Sequence, residues 1–178
     1  MSFEAMIKKG NTGEFLVEQL LKNLSERLPL RYVKNLLIQD RSRSNYMTYR
    51  TQIDFVVLTP KGLVTLEVKN WNSVIERLSD NTWRAILHDG ACVPIKSPLN
   101  QSKYHAKVLV SNYDIDCYDK VVFIDKSCIV GDSSDLVDLP DLSEYLSGFF
   151  TGDPKYSNQD LKDLHFHMVY HGMCQSAH

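Results

Sequence analysis

Hydrophobic residues recur at intervals of three and four along several stretches of the chain, which predicts amphipathic helices. The clearest stretch covers residues 14–28, EFLVEQLLKNLSERL, and Pro29 directly after it would end the helix. A second helix is predicted over residues 98–113, PLNQSKYHAKVLVSNY. Weaker helical patterns follow near residues 141–149 and 158–171, so we expect the C-terminal part of the chain to be helical.

Four other stretches are rich in the β-branched and apolar residues that favour strands. They cover residues 31–38, 51–58, 63–69 and 119–125. The second and third are joined by TPKG, with proline and glycine where turns favour them. Shorter strands separated by turns are predicted within residues 73–95.

The predicted order is helix, three strands, small strands, helix, strand and helical tail. This order indicates a mixed α/β domain whose central sheet begins as a meander. The chain has 178 residues, of which 43% are hydrophobic. One globular domain over residues 1–178 is therefore expected.

Composition narrows the classes of function. The net charge of -2 excludes a broadly basic nucleic-acid-binding surface, so any phosphate contact needs a local patch or a bound cation. The sequence has no apolar run long enough for a membrane span, and its start, MSFEAMIKKGNTGE, lacks the apolar segment of a signal peptide. Four widely spaced cysteines without a CxxC motif favour a cytoplasmic protein with free thiols.

The candidate chemistry lies in the predicted hairpin. Glu67 and Lys69 interrupt an apolar strand and share one face of it, where charges are costly unless they are paired or bind a metal. A two-residue turn at residues 60–61 would place Asp54 directly opposite Glu67. A three-residue turn with a glycine bulge would shift the pairing by one residue and turn Asp54 to the other face. The sequence leaves both turns open.

If the faces agree, two carboxylates and a lysine converge. Mg²⁺ binds few carboxylates with near-octahedral oxygen geometry, which Asp54, Glu67 and the backbone carbonyl near Val68 would supply. Lys69 could orient a metal-activated water or stabilise charge on a phosphate. The alternative is an ordinary salt-bridged pair at a sheet edge.

Further residues occur in a characteristic order: GE at residues 13–14, QID at 52–54, EVKNW at 67–71 and NQ at 100–101. Together with the run QIDFVVLTPKGLVTLEVKNW, they resemble the nuclease-related domain family, NERD, a branch of the PD-(D/E)XK nuclease superfamily. The resemblance covers roughly residues 8–125. It implies a restriction-endonuclease-like αβββαβ core, with a central mixed sheet flanked by helices, over that range. Residues 126–178 would form a helical C-terminal extension.

The resemblance also implies roles for five residues. Asp54 and Glu67 would bind Mg²⁺ or Mn²⁺, with the carbonyl of Val68 as a further ligand, and Lys69 would be the catalytic lysine. Glu14 would complete the metal site directly or through water. Gln101 would face the site from the later helix and contact the lysine, a water or the DNA.

The implied function is metal-dependent hydrolysis of DNA phosphodiester bonds, with RNA not excluded as substrate. A catalytically silent module that binds nucleic acid or a protein partner is the alternative, and a purely structural domain is the third reading. A separate helicase or a repair or processing protein is a possible partner, and a homodimer is plausible.

Several basic residues are candidates for contact with a nucleic acid. Arg41, Arg43 and Arg50 lie in a tyrosine-containing stretch just before the strand of Asp54, where arginines can hold phosphates and tyrosines can stack on bases. Lys103 and Lys107 lie one helical turn apart near Gln101. A solvated surface is the alternative for both groups.

The tail contains a second set of possible metal ligands, namely His165, His167, His171 and Cys174. His167 and His171 have the i, i+4 spacing that can bind zinc on a helix. No second ligand pair has recognisable spacing, so ordinary helix residues are the favoured reading. Trp71, directly after the charged strand, is expected to pack rather than to stack on a base.

Overall fold

The computed structural model describes residues 3–40, 49–71 and 73–175, with side chains described between residues 11 and 170. Four α-helices lie in these ranges: α1 Phe3–Ser25, α2 Pro98–Tyr113, α3 Leu142–Ser147 and α4 Asn158–Gln175. None of these helices is long and apolar enough to cross a membrane.

The same ranges contain nine strands, which form two sheets. They are β1 Arg31–Gln39, β2 Arg50–Thr59, β3 Gly62–Lys69, β4 Val74–Arg77, β5 Trp83–Ile86, β6 Cys92–Ile95, β7 Cys117–Phe123, β8 Ile129–Val130 and β9 Val137–Asp138. The larger sheet has the order β1-β2-β3-β7-β9, and the smaller one has the order β6-β5-β4-β8.

Both sheets are mixed, which confirms the predicted mixed α/β class. In the larger sheet β1, β2 and β3 are antiparallel neighbours, whereas β7 is parallel to β3 and β9 is parallel to β7. The parallel step from β3 to β7 requires a crossover, and α2 lies within it.

The turn between β2 and β3 is the two-residue form of the two that the sequence allows. Thr59 pairs with Gly62, and the ladder continues to Phe55 opposite Leu66. Gly62 has a φ of 135°, and a Cβ at this position would collide with the carbonyl oxygen of Asp116. The backbone conformation and this close approach therefore require glycine at position 62.

Helices cover both faces of the larger sheet. Val17 and Leu21 of α1 form one core cluster with strand residues such as Phe55 and Leu66. On the opposite face, Val108 and Leu109 of α2 form a second cluster, which also includes β2 and β3 residues and two residues of α4. The buried members from β1, β2, β3 and α4 are Val33, Leu36, Ile38, Ile53, Val56, Leu58, Leu63, Leu161 and Met168.

The first helix departs from its predicted bounds. It begins at Phe3 instead of residue 14 and ends at Ser25, where the Leu24 carbonyl accepts the N–H groups of Arg27 and Leu28. Periodicity alone missed the first part because it contains glycine, which weakens an isolated helix. Tertiary contact overrides that preference at Gly13.

Gly13 is the point where α1 touches the end of β3. A Cβ on Gly13 would lie 2.8 Å from the Cβ of Asn70 and 3.2 Å from Cγ1 of Ile124. Asn70 directly follows Lys69, so the missing side chain of Gly13 sets how closely α1 approaches the charged end of β3.

We predict that Gly13→Ala lowers the free energy of unfolding by about 1–2 kcal/mol, because the clash with Asn70 outweighs the better helix propensity of alanine. Gly148→Ala is the matched control, since nothing lies within 4 Å of a Cβ there, and it should leave stability unchanged or raise it by up to about 1 kcal/mol. Urea denaturation of both variants measures the difference. Equal effects of the two substitutions would contradict the role of Gly13 as a spacer.

Candidate active site

Near its C-terminal end, strand β3 presents two charged side chains to α2 and two apolar side chains to α1. Glu67 is only 2% exposed, and Lys69 is half-buried beside it. Leu66 and Val68 join the core cluster beneath α1 on the other face. The predicted separation of charged and apolar residues along this strand is confirmed.

Lys69 is held between the strand and α2. Its Nζ donates a short hydrogen bond to Oε1 of Glu67 and lies 3.4 Å from Oε1 of Gln101. The structure therefore brings Glu67, Lys69 and Gln101 together. Trp71 packs edge-on against Phe123, with ring centroids 5.5 Å apart, as expected for a packing residue.

The Asp54 side chain lies beside the same end of β3, where the regular pairing of β2 with β3 has stopped. The β2–β3 ladder stops at Phe55 opposite Leu66, one position before Asp54 and Glu67 would pair. Oδ2 of Asp54 instead accepts the backbone N–H of Val68 at 2.9 Å. A carboxylate thus takes an N–H group of β3, which holds the Asp54 side chain beside the charged end of that strand.

The neighbouring strand has a matching irregularity. The β1–β2 ladder pairs Lys34 with Phe55 and Leu36 with Ile53 but passes over Asn35 and Asp54. Asn35 has a φ of 53°, in the left-handed region that asparagine tolerates better than most residues. Asp54 is therefore irregularly paired on both sides.

Burial and a like charge raise the pKa of Asp54 from 3.8 to about 6. Desolvation is the largest cause, and the nearby charge of Glu67 adds to it. The N–H of Val68 and the charge of Lys69 only partly offset these effects. The folded chain therefore holds a carboxylate whose negative charge is poorly compensated.

Glu14 lies on α1 and influences the site from a greater distance. Its Oε2 is 3.9 Å from Nζ of Lys34, and its negative charge is a minor contributor to the raised pKa of Asp54. The described contacts thus connect Glu14 with the site through electrostatics.

His105 is a polar residue of the site that sequence reasoning missed. It is 2% exposed on α2, its Nδ1 lies 3.3 Å from Oε2 of Glu67, and its Nε2 lies 3.1 Å from Oγ1 of Thr51. Gln101 and His105 are four residues apart and so share one face of α2, which was the available signal.

Glu67 is partly compensated in this environment. Burial alone would raise its pKa, but the close approach of His105 and the charge of Lys69 outweigh burial and lower it. Even so, Oε2 of Glu67 and Nδ1 of His105 are buried without a well-aligned hydrogen bond. Buried polar atoms of this kind call for a water or an ion.

The donor set fits a hard divalent cation. The unsatisfied Oε2 of Glu67 and the poorly compensated carboxylate of Asp54 are the oxygen ligands that Mg²⁺ prefers. In the part of the chain that the structure describes, no group of three or more His, Cys, Asp or Glu side chains is arranged to hold a metal. A cation here would therefore complete its coordination with backbone oxygen and water, as Mg²⁺ commonly does.

Of the residues predicted to contact a nucleic acid, only some lie near the candidate site. Arg50 is exposed at the start of β2 and lines a cleft of about 670 Å³ that also includes Gln101 and His105. Lys103 is exposed, with its Nζ 3.7 Å from Oδ2 of Asp80, and Lys107 is exposed on α2. Arg41 and Arg43 fall outside the described residues.

The histidines of the tail have other neighbours. Nε2 of His165 lies 3.2 Å from the carbonyl oxygen of Tyr32, and His167 packs edge-on against Tyr113. The side chains of His171 and Cys174 lie outside the described ones. The possible zinc site in the tail remains a prediction from spacing.

Comparison with known proteins gave one match. The family model described as the nuclease-related domain, NERD, matches residues 9–125. Neither the curated proteins nor the solved structures gave a match. The residues around Asp54, Glu67 and Gln101 all lie within the matched range.

The raised pKa of Asp54 means that its ionised carboxylate lowers the free energy of unfolding. A carboxyl with a higher pKa in the folded chain binds its proton more tightly there, so stability is lost as pH rises from about 4 to about 6. Asp54→Asn keeps an acceptor for the Val68 N–H without the charge. In EDTA it should raise the free energy of unfolding by about 2 kcal/mol at pH 8 and by much less near pH 4.

Urea denaturation at both pH values measures this difference, and Asp153→Asn in an exposed loop is the matched control. Destabilisation by Asp54→Asn at both pH values would show that the carboxylate contributes to stability.

Proposed function

Because the chain belongs to the nuclease-related domain family, we propose that it is a metal-dependent nuclease that hydrolyses phosphodiester bonds of DNA. One observation carries the proposal. The Asp54 carboxylate accepts the N–H of Val68, between the paired residues Glu67 and Lys69, and a buried carboxylate oxygen of Glu67 has no hydrogen-bond partner. Unsatisfied charge at a sheet end is expected where a cation and a phosphate are to be bound.

In this proposal Asp54 and Glu67 would hold Mg²⁺ or Mn²⁺, the Val68 carbonyl and water would be further ligands, and Glu14 would act through water. The cation would supply a Lewis acid and a water of lowered pKa. Lys69 would place its ammonium group against the phosphate and stabilise the charge that develops on its oxygens. In this hydrolysis, the water oxygen bonds to phosphorus and gives up a proton. One P–O ester bond breaks, and the leaving oxygen takes up a proton.

Two α2 residues would hold this arrangement. Gln101 lies close enough to Lys69 to limit the positions of its ammonium group. His105 lies between Thr51 and Glu67 and would keep the carboxylate oriented. Orientation by a neighbouring polar group is a common way to tune a metal ligand.

We also propose that the core has the restriction-endonuclease-like αβββαβ arrangement. The support is the order α1, β1, β2, β3, α2, β7 and the helices on both faces of the larger sheet. The small sheet of β4, β5, β6 and β8 would be an addition to that core.

A catalytically silent binding module is the second candidate. Lys69 is already hydrogen-bonded to Glu67, and no cluster of three metal-binding side chains is present among the described residues. Binding that persists in EDTA, with no turnover in any divalent metal, would favour this module. A helicase or repair partner, a homodimer and a cytoplasmic location stay predictions from the sequence.

We predict that Lys69→Met lowers the rate of DNA cleavage by at least about 100-fold, because the ammonium group that stabilises the transition state is lost. Supercoiled plasmid, linear duplex and single-stranded DNA would be incubated with Mg²⁺, Mn²⁺ or EDTA. Lys61→Met is the matched control, since Lys61 lies in the turn at the other end of the same hairpin. Cleavage that survives Lys69→Met or persists in EDTA would reject this mechanism.

We further predict that His105→Leu weakens Mn²⁺ binding and cleavage by about 10- to 100-fold, because Glu67 loses the side chain that orients it. Calorimetric titration with Mn²⁺ gives the affinity independently of turnover. His105→Asn should recover part of the loss, since its amide can donate to the carboxylate. His88→Leu, in an exposed turn, is the control, and an unchanged Mn²⁺ affinity of His105→Leu would remove His105 from the site.

A further inference from the structure

The cleft between the start of β2 and the N-terminal half of α2 adjoins the proposed active site. Its volume is about 670 Å³, and Gln101 and His105 form part of its wall. The same two residues contact Lys69 and Glu67. A molecule bound in the cleft would therefore lie next to the group that is proposed to act on phosphate.

The charge of the cleft differs from that of the chain. The protein has a net charge of -2, with 22 acidic residues, yet none of the described residues that line the cleft is an aspartate or a glutamate. Arg50 and Lys96 line it, both with exposed side chains. The N-terminus of α2 also borders the cleft, where Ser97 caps the helix. These features favour an anionic ligand.

The rest of the lining suits a nucleobase. The amide nitrogens of Gln52 and Asn100 donate to neighbouring asparagines, which orients both side chains while leaving them capacity for a base edge. Tyr104 offers an aromatic ring. The hydroxyl of Tyr104 donates to Oδ2 of Asp40 at 2.7 Å, which fixes the position of the ring. Cations, amides and an aromatic ring are the groups that bind unpaired nucleotides.

The size of the cleft favours an unpaired nucleotide over a base-paired strand. A volume of about 670 Å³ lies in the range of roughly 300–1,000 Å³ that holds a small organic ligand. One unstacked nucleotide fits such a space. A duplex keeps its bases stacked inside a convex rod, so it could reach only the rim.

We propose that this cleft is a subsite for one unpaired nucleotide beside the scissile phosphate, so that the substrate is a single strand or a frayed end. The inference rests on the proposed function in taking nucleic acid as the ligand. It adds Lys96 and Asn100 to the residues that contact the substrate, and it gives Arg50 a defined partner in the phosphate backbone.

The test is fluorescence anisotropy in EDTA, where metal-dependent cleavage cannot occur. Labelled oligodeoxyuridylate, oligouridylate and a two-strand duplex with G·C pairs at both ends and no loop would be titrated with the full chain at several salt concentrations. We expect at least one single strand to bind at least about 10-fold more tightly than the duplex. Equal or tighter binding of the duplex, or no binding of either single strand, would overturn the proposal. The two single strands distinguish DNA from RNA.

Lys96→Gln locates the binding. It should weaken single-strand binding several-fold and reduce the slope of log K against log salt by about 0.7, the change expected for one lost phosphate contact on a single strand. A merely structural role would leave that slope unchanged. Lys22→Gln, on α1 against the opposite face of the sheet, is the matched control. An identical slope for the two variants would overturn the proposal.

The outcomes separate this proposal from the nuclease proposal. Single-strand binding that depends on Lys96, without cleavage in Mg²⁺ or Mn²⁺, would keep the subsite and reject the nuclease. Cleavage that depends on Lys69, with no preference for single strands, would keep the nuclease and reject the subsite.

Discussion

The buried carboxylate of Glu67 is the constraint on which the arrangement of this domain depends. A charge that is 2% exposed is costly unless its surroundings compensate it. Lys69 and His105 both approach Glu67, and His105 itself is anchored to Thr51. The compensation is incomplete, since one oxygen of Glu67 has no hydrogen bond. The fold thus brings a strand, a helix and a second strand together around one charge and still leaves one of its oxygens without a hydrogen bond.

Asp54 shows how the sheet makes room for this chemistry. In a regular sheet, the backbone N–H of Val68 would be available to a neighbouring strand and the Asp54 carboxylate would not be held by it. Instead, the ladder is interrupted at Asp54, Asn35 takes a left-handed conformation, and the carboxylate binds the N–H of Val68. Such local departures from regular structure are typical of functional sites. They place two repelling carboxylates near each other at the end of a hairpin.

The distribution of charge explains how a chain with a net negative charge could bind the anionic substrate that we propose. The carboxylates of Asp54 and Glu67 lie on the strands, whereas the cleft beside them is lined by cations and amides. Helix α2 is common to the two regions, because its residues Gln101 and His105 contact the charged strand and also line the cleft. Phosphate binding in such a protein depends on a local surface rather than on net charge.

The sequence by itself determined α2, the strands of the hairpin and the chemical groups that they carry. Periodicity gave α2 its bounds and placed the hairpin strands to within a residue or two, because local preference and burial agree there. The alternation of Leu66, Glu67, Val68 and Lys69 also fixed which side chains share a face, since that follows from the pleat alone.

Tertiary structure decided the rest. The turn at residues 60–61 was ambiguous in the sequence, and only the ladder that pairs Thr59 with Gly62 decides for the two-residue form. The start of α1 escaped prediction because packing of Gly13 on Asn70 overrides helix propensity. His105 escaped because its role comes from contacts with Glu67 and Thr51, 38 and 54 residues away in the chain. A sequence pattern reports which residues share an element, whereas the energy of a buried charge depends on which elements surround it.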